Sequence, residues 1–285
     1  MPSVRDLRDR IRSLKNTQQI TKAMKQVAAA KIRRAETAQR QARPYADAMA
    51  EMLRDLITSV GTIDHPFMKA GREGAPRGLV VMTADKGLAG AFNANITRAA
   101  DMEQRANPNV RYYAVGLKAR NALRRLPQET AYAVPLSLGT KIETARGVAA
   151  KVSDDFTSGA ISEIVLVSAK FVSMMSQKPQ TRSIVPIVAE RRAATDGPRA
   201  EVEFAPSPEA VLTRLLPKYL EFTLYSAMLE TDAAFFAAQL IAMNNATDNA
   251  GKLIDELTIA MNKARQAAIT KEMLEIVGGA EALAG

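Results

Sequence analysis

Three features of this 285-residue chain predict an α+β protein: a long antiparallel coiled coil of N- and C-terminal helices carrying a small α/β domain with a mostly parallel sheet. Residues 7 to 60 hold a seam of alternating four- and three-residue spacings. From Pro208 to Leu283 helix breakers are almost absent, and residues 77 to 190 alternate short apolar runs with helical stretches. The expected division is a first helix at 1–60, a linker at 61–76, the α/β domain at 77–190, a linker at 191–206 and a second helix at 207–285.

The first helix is read from Leu7, Ile11, Leu14, Gln18, Thr21, Lys25, Ala28, Ile32, Ala35, Gln39, Ala42, Ala46, Met49, Leu53, Leu56 and Val60. All but Gln18, Thr21, Lys25 and Gln39 are apolar, and the small residues in the middle allow close helix approach. Pro44 lies inside the pattern and removes one backbone hydrogen bond, which costs about 3 kcal/mol in a helix interior, so a kink or short break is expected there. Residues 1 to 43 carry twelve Lys/Arg against three acids, whereas the rest of the chain balances at 27 against 27. The formal charge of +9 therefore belongs to the first helix and calls for an acidic partner, polyphosphate or protein.

In the middle region, Gly78 to Thr83 reads as a buried strand followed by a glycine-rich turn, Ala84 to Asn93, and a helix to about Arg105. Further strands are expected at Val110 to Val115, Ala131 to Pro135, Ile161 to Ser168 and Thr181 to Val188, with helices near Lys118 to Arg125 and Lys141 to Ser158. The turn is not a phosphate loop of the Walker type, because Lys86 precedes Gly87 and Gly90 is followed by Ala91-Phe92. The three-glycine dinucleotide fingerprint is missing as well, so the turn is read as structural.

The second helix opens at Ser207-Pro208-Glu209, which supplies a capping hydroxyl, a proline in the first turn and an acid near the positive end of the helix dipole. At 1.5 Å per residue it makes a rod of roughly 110 Å, against roughly 80 Å for residues 4 to 57. Paired antiparallel, the longer rod projects past its partner, and the projecting end is the C-terminus. There Arg265, Ile269 and Glu272 share one face, beside an apolar stripe of Leu257, Ala260, Ala264, Ala267, Leu274 and Val277. The stripe is expected to pack on a partner helix and the polar face to grip another protein.

Composition removes several classes of function. Cysteine is absent, which excludes disulfides and thiolate metal sites, and the single His65 falls in a Gly/Pro-rich loop where an exposed imidazole is expected. No serine-histidine-acid set or metal-spaced cluster appears, so no catalytic residue, cofactor or metal is assigned. The longest apolar run, Ala233 to Met243, is far shorter than the ~20 residues that span a bilayer. Helical patterning begins by Val4, leaving no room for a signal peptide.

Four stretches resemble the gamma subunit family of the rotary ATP synthase, in the family's order and over nearly the whole length. They are Ile11 to Lys31, the Thr83 to Asn93 turn, Ala242-Met243-Asn244-Asn245-Ala246-Thr247-Asp248-Asn249, and the tail from Arg265 to Ala280 with Ile269-Thr270-Lys271-Glu272. The resemblance implies a bacterial central rotor stalk without a catalytic site of its own, which couples ion-driven c-ring rotation to ATP synthesis or hydrolysis. Its implied partners are the alpha and beta subunits of the catalytic hexamer, the epsilon subunit and the c-ring. No nucleic acid is implied, and the membrane is reached through the complex only, at the cytoplasmic face of the inner membrane. Matching positions imply beta-subunit contacts at Arg265, Gln266, Thr270 and Glu272, and at Lys22, Met24 and Lys25, with Lys31, Arg33 and Arg34 nearby. One stretch departs from the family: Ala234-Phe235-Phe236-Ala237-Ala238-Gln239-Leu240 replaces a usual Ser-Glu pair and an Arg-Met pair, so Gln239 stands for an expected arginine.

Two other readings use the same residues. A nucleic-acid-binding coiled coil would exploit Arg5 to Arg43 and bind with steep salt dependence. A scaffold dimer would use the seams between chains and form a stable homodimer.

Overall fold

A computed structural model describes residues 3–60, 65–136, 140–187 and 207–284. The expected linker at 191–206 and the start of the one at 61–76 lie outside the described residues. Two long helices, α1 (Val4–Val60) and α5 (Pro208–Ala284), flank a domain of five strands and three helices. In chain order these are β1 (Arg77–Met82), α2 (Phe92–Ala106), β2 (Val110–Val115), α3 (Leu117–Leu123), β3 (Thr130–Val134), α4 (Lys141–Thr157), β4 (Glu163–Ser173) and β5 (Ser176–Val185). The chain packs as two compact units, Met1–Ala28 with Leu240–Gly285, and Ala29–Gln239.

The sheet runs β3-β2-β1-β4-β5. Its first four strands are parallel, and β5 turns back antiparallel on β4 through a tight hairpin. Alternate residues face opposite layers, as the two-residue period of a strand requires. Val80, Met82, Tyr113 and Val115 pack against α4, Leu53 and Leu56 of α1, and Leu212, Leu216, Leu220 and Leu224 of α5. Leu79, Val81, Tyr112 and Ala114 pack against Phe92, Ile96 and Ala100 of α2 and Ala119 and Leu123 of α3. Both faces are covered, which explains why Leu79–Met82 of β1 and Tyr112–Val115 of β2 read as near-continuous apolar runs.

All the seam positions from Leu7 to Leu56 are buried or half-buried. Of the kink or short break expected at Pro44, the break does not occur: α1 runs through this residue. Pro44 and Arg40, whose carbonyl loses its partner, are both exposed, so water can satisfy that oxygen. Pro217 within α5 is exposed in the same way, as is Thr213 one turn earlier. β5 begins five residues before the expected strand, and β4 extends five residues beyond its expected end, so the hairpin is longer than anticipated. His65 is half-buried rather than exposed, and its Nδ1 accepts the Phe67 backbone N–H at 3.1 Å, capping a single 3-10 turn at Pro66–Met68.

Candidate partner-contact surface

In the unit that joins residues 1–28 to 240–285, α1 and α5 run antiparallel. Gln18 Nε2 donates to the Thr247 carbonyl at 3.5 Å, Thr247 Oγ1 lies 2.8 Å from Thr21 Oγ1, and Lys25 Nζ donates to Asn244 Oδ1 at 2.5 Å. Three of the four polar seam positions, Gln18, Thr21 and Lys25, are thus filled by partners within the same chain and fix the register. Extending the Thr21–Thr247 pairing residue for residue places Val4 opposite Ala264. Burial follows that geometry: Ala264 is half-buried, and every residue from Arg265 to Gly278 is exposed.

The tail is bare on all sides. The sequence led us to expect Ala267, Leu274 and Val277 to pack on a partner helix, but α1 has already ended, and all three are exposed. Ala260 is exposed as well, although Leu257 is half-buried as expected. Arg265, Gln266, Thr270 and Glu272 are exposed, and Thr270 Oγ1 donates back to the Gln266 carbonyl at 3.0 Å. Ile269, Met273 and Ile276 follow a four-then-three spacing and lie within about 60° of one another around the helix. They are 50%, 62% and 71% exposed. The opposite side carries Ala267, Lys271, Glu275 and Gly278, with Lys271 and Glu275 paired at 3.6 Å. The tip of α5 therefore exposes an apolar ridge at Ile269, Met273 and Ile276 edged by Arg265 and Glu272, while the other side mixes Lys271 and Glu275 with the exposed Leu274.

The basic stripe of α1 is also open. Eleven of its twelve Lys/Arg are exposed, Lys25 being half-buried. Arg43 pairs with Asp47 at 3.7 Å, and among the described residues no other member of the stripe pairs with a carboxylate. Lys22 is exposed, Met24 is half-buried, and Lys25 spends its ammonium on Asn244. Gln239 is buried.

The glycine-rich turn is consumed by its own fold. Asp85 Oδ1 accepts the backbone N–H groups of Leu117 at 2.8 Å and Leu136 at 2.9 Å, tying together the loops that follow β1, β2 and β3. Asn93 closes the turn on itself, accepting from Ala84 N–H and donating to the Lys86 carbonyl. Gly116 has φ of 99°, and a Cβ there would sit 2.1 Å from the Thr83 carbonyl oxygen, so only glycine lets the next loop close over β1. No group of His, Cys, Asp and Glu able to hold a metal occurs among the described residues. A cleft of about 950 Å³ lies beside Gly71, Arg77, Glu163 and Tyr219. Arg77 is already paired with Glu163 at 2.7 Å and with Glu103 at 3.4 Å, and the cleft brings no nucleophile and base together.

What sequence reasoning missed is a set of long-range polar ties inside the domain. Tyr113 donates to Asp155 Oδ2 at 2.6 Å, with Lys151 on the other oxygen at 2.8 Å, and Arg111 links Asp155 to Glu129. Lys141 at the start of α4 pairs with Asp232 of α5 at 2.6 Å. Apart from Lys151–Asp155, an i,i+4 pair on α4, these ties have no local sequence signal, since the partners are far apart along the chain.

With this geometry in place, comparison with known proteins is specific. The family described as ATP synthase matches residues 3–283. A protein named ATP synthase gamma chain from Desulforamulus reducens is 45% identical over 99% of this chain and 100% of its own length. One of the same name from Heliobacterium modesticaldum is 44% identical over the same shares. Among solved structures, a chain of the Euglena gracilis mitochondrial ATP synthase OSCP/F1/c-ring assembly superposes with a TM-score of 0.69 at 20% identity, covering 98% of this chain and 94% of that chain.

Proposed function

The chain belongs to the ATP synthase gamma chain family, and on that premise we propose that its bare C-terminal helix end and its basic α1 stripe are the surfaces on which the alpha/beta catalytic hexamer rides. The gamma chain is a stalk subunit and not the catalytic one, which agrees with an architecture that spends its polar groups on its own fold. The observation that carries the proposal is the unpartnered end of α5, exposed on all sides from Arg265 to Gly278, with the Ile269–Met273–Ile276 ridge on it.

A shaft that turns inside a ring drives its neighbours only if its sides differ, because a contact can shift a conformational equilibrium only by its differential affinity for the two states. Covering the exposed part of Ile269, Met273 and Ile276 contributes about 1–2 kcal/mol each, or about 3–6 kcal/mol together. Moving a two-state population from 1:99 to 99:1 takes about 5.5 kcal/mol. The Ile269–Met273–Ile276 ridge of this one helix end therefore matches the energy needed to change the state of one subunit, while the Lys271–Glu275 side offers less such burial, with Leu274 alone among large apolar side chains. Arg265, Gln266, Thr270 and Glu272 flank the apolar ridge as the polar grip. Lys22, with Met24 and Lys25 beside it, and Lys31, Arg33 and Arg34 supply positive charge for an acidic beta-subunit loop.

The same reading assigns the α/β domain to the foot of the shaft, beside epsilon and the c-ring, at the cytoplasmic face of the bacterial inner membrane. No described helix is long and apolar enough to cross a membrane, and on this reading the membrane is reached through the complex. The scaffold-dimer reading loses its basis, because the polar seam residues Gln18, Thr21 and Lys25 are satisfied by α5 of the same chain. The nucleic-acid reading rests on charge alone, which an acidic protein loop satisfies equally well. The test is reconstitution with alpha and beta subunits: the chain co-purifies with the hexamer, and Arg265→Ala with Gln266→Ala lowers coupled turnover several-fold. Normal turnover in that double variant would remove the grip assignment, and failure to co-purify would remove the shaft reading itself.

A further inference from the structure

α5 changes layers at the carboxyl edge of the sheet. Its residues Leu212 to Met228 belong to the core shared with α1 and α4, whereas Ala234 and Phe235 belong to the core beneath α2 and α3. Within the seven residues 230–236 it is fastened to four other elements. Glu230 Oε1 accepts the Phe171 backbone N–H of β4 at 3.2 Å. Asp232 pairs at 2.6 Å with Lys141, the first residue of α4. Phe235 meets Phe92, the first residue of α2, edge to face at 5.7 Å and stands 5.2 Å from Phe236. The ammonium of Lys31 on α1 lies 5.3 Å from the centre of the Phe236 ring. A cavity of about 300 Å³ opens among these groups, with Asp85 and Lys86 on its wall.

The chemistry of these ties differs from that of the layers on either side. Apolar burial is non-directional and resists separation of two surfaces more than sliding of one over the other. An ion pair and edge-to-face rings depend on orientation and resist a helix turning about its own axis. Burial pushes the Asp232 carboxyl up, and Asp85 adds to this, while Lys141 and Lys31 work against it. The carboxylate therefore depends chiefly on Lys141, and it faces the amino end of α4, where negative charge is favoured.

We propose that this cluster is the clasp through which torque passes between the α/β domain and the shaft helices, with Asp232 as a positioning residue that holds α5 on the amino end of α4. The proposal rests on the shaft reading and deepens it.

The test uses the whole complex in membrane vesicles, comparing ATP-driven ion pumping with ATP hydrolysis for Asp232→Ala, Asp232→Asn, Lys141→Ala and the exchange Asp232→Lys with Lys141→Asp. The single variants are expected to keep hydrolysis and lose pumping several-fold when pumping works against an established gradient, and the exchange is expected to recover most of that loss. Amide exchange along residues 229–237 should also speed up by at least roughly tenfold in Asp232→Ala, because breaking a half-buried pair opens the segment locally. Unchanged pumping-to-hydrolysis ratios in all single variants would overturn the proposal. So would a parallel fall of both activities, including in the near-isosteric Asp232→Asn, because that pattern marks lost folding. Failure of the shaft reading gives a distinct result, namely no co-purification with the hexamer for the unaltered chain.

Discussion

Replacing Tyr113 with phenylalanine removes one oxygen from the centre of the α/β domain and leaves its packing in place. Tyr113 is fully buried, and its hydroxyl donates to Asp155 at 2.6 Å. The same carboxylate accepts from Lys151 at 2.8 Å, and its backbone oxygen accepts the Ala160 and Ile161 N–H groups. Tyr113→Phe therefore leaves a buried charge with one direct side-chain donor fewer. Hydrogen bonds to charged groups contribute about 1.5–3 kcal/mol each, so the loss is about 2 kcal/mol, or roughly 4–8 °C in the unfolding midpoint of a chain of this size. Burial alone would raise the Asp155 carboxyl, but the hydrogen bonds from Lys151 and Tyr113 and the nearby Arg111 outweigh it and hold it below the ordinary 3.8. A carboxyl lowered in the folded state contributes stability that is present above its unfolded pKa and lost as pH falls through the folded value. The difference between the parent and Tyr113→Phe should thus be full at neutral pH and shrink below pH 3.8. Calorimetry and circular dichroism on the isolated chain at several pH values measure both effects. A midpoint shift below about 1 °C at neutral pH, or a gap that does not narrow in acid, would refute the reasoning.

Deleting residues 265–285 should leave the unfolding midpoint of the free chain within about 2 °C of the parent, because Arg265 to Gly278 pack on nothing within it. A larger drop would show that the tail belongs to the fold. Leu216→Ala, at a fully buried position between α5 and the sheet, should cost about 3 kcal/mol in denaturant unfolding, and a cost under about 1 kcal/mol would place the core elsewhere. Burial pushes the Tyr112 hydroxyl up to about 12, so its contribution to stability is intact below pH 10.0 and is lost as pH rises through that higher value. The ultraviolet difference between the parent and Tyr112→Phe should accordingly show no phenolate at pH 10.0, whereas ionisation there would contradict it.

Much of the architecture is legible in the sequence because the signals are local. Val110–Val115 is bounded by Pro108-Asn109 on one side and Gly116 on the other, and the strand fills that interval. The seam on α1 repeats for so long that its burial follows from spacing alone. Less visible was the first half of β5, where Gln177-Lys178-Pro179-Gln180 is polar and interrupted by proline. It is nevertheless a strand, because β5 is an edge that pairs only with β4, and Pro179 sits opposite Ala169 at a tolerated place. The contact surface was partly legible. The composition of the tail marks a helix end, but an apolar stripe does not say whether another helix covers it. That depends on where α1 begins, and Val4 reaches only as far as Ala264. The Lys141–Asp232 and Tyr113–Asp155 ties were not legible, since each joins elements that only the folded topology brings together.

The shaft reading meets its most direct test in single-molecule rotation. The chain has no cysteine, so Met175→Cys at the tip of the β4–β5 hairpin, where Met175 is 79% exposed, gives one attachment point for a probe. With the chain assembled in an immobilised alpha/beta hexamer and ATP supplied, the probe should turn in one direction at a rate that follows ATP turnover, and Arg265→Ala with Gln266→Ala should reduce the force it sustains. ATP turnover with a stationary probe would contradict the account.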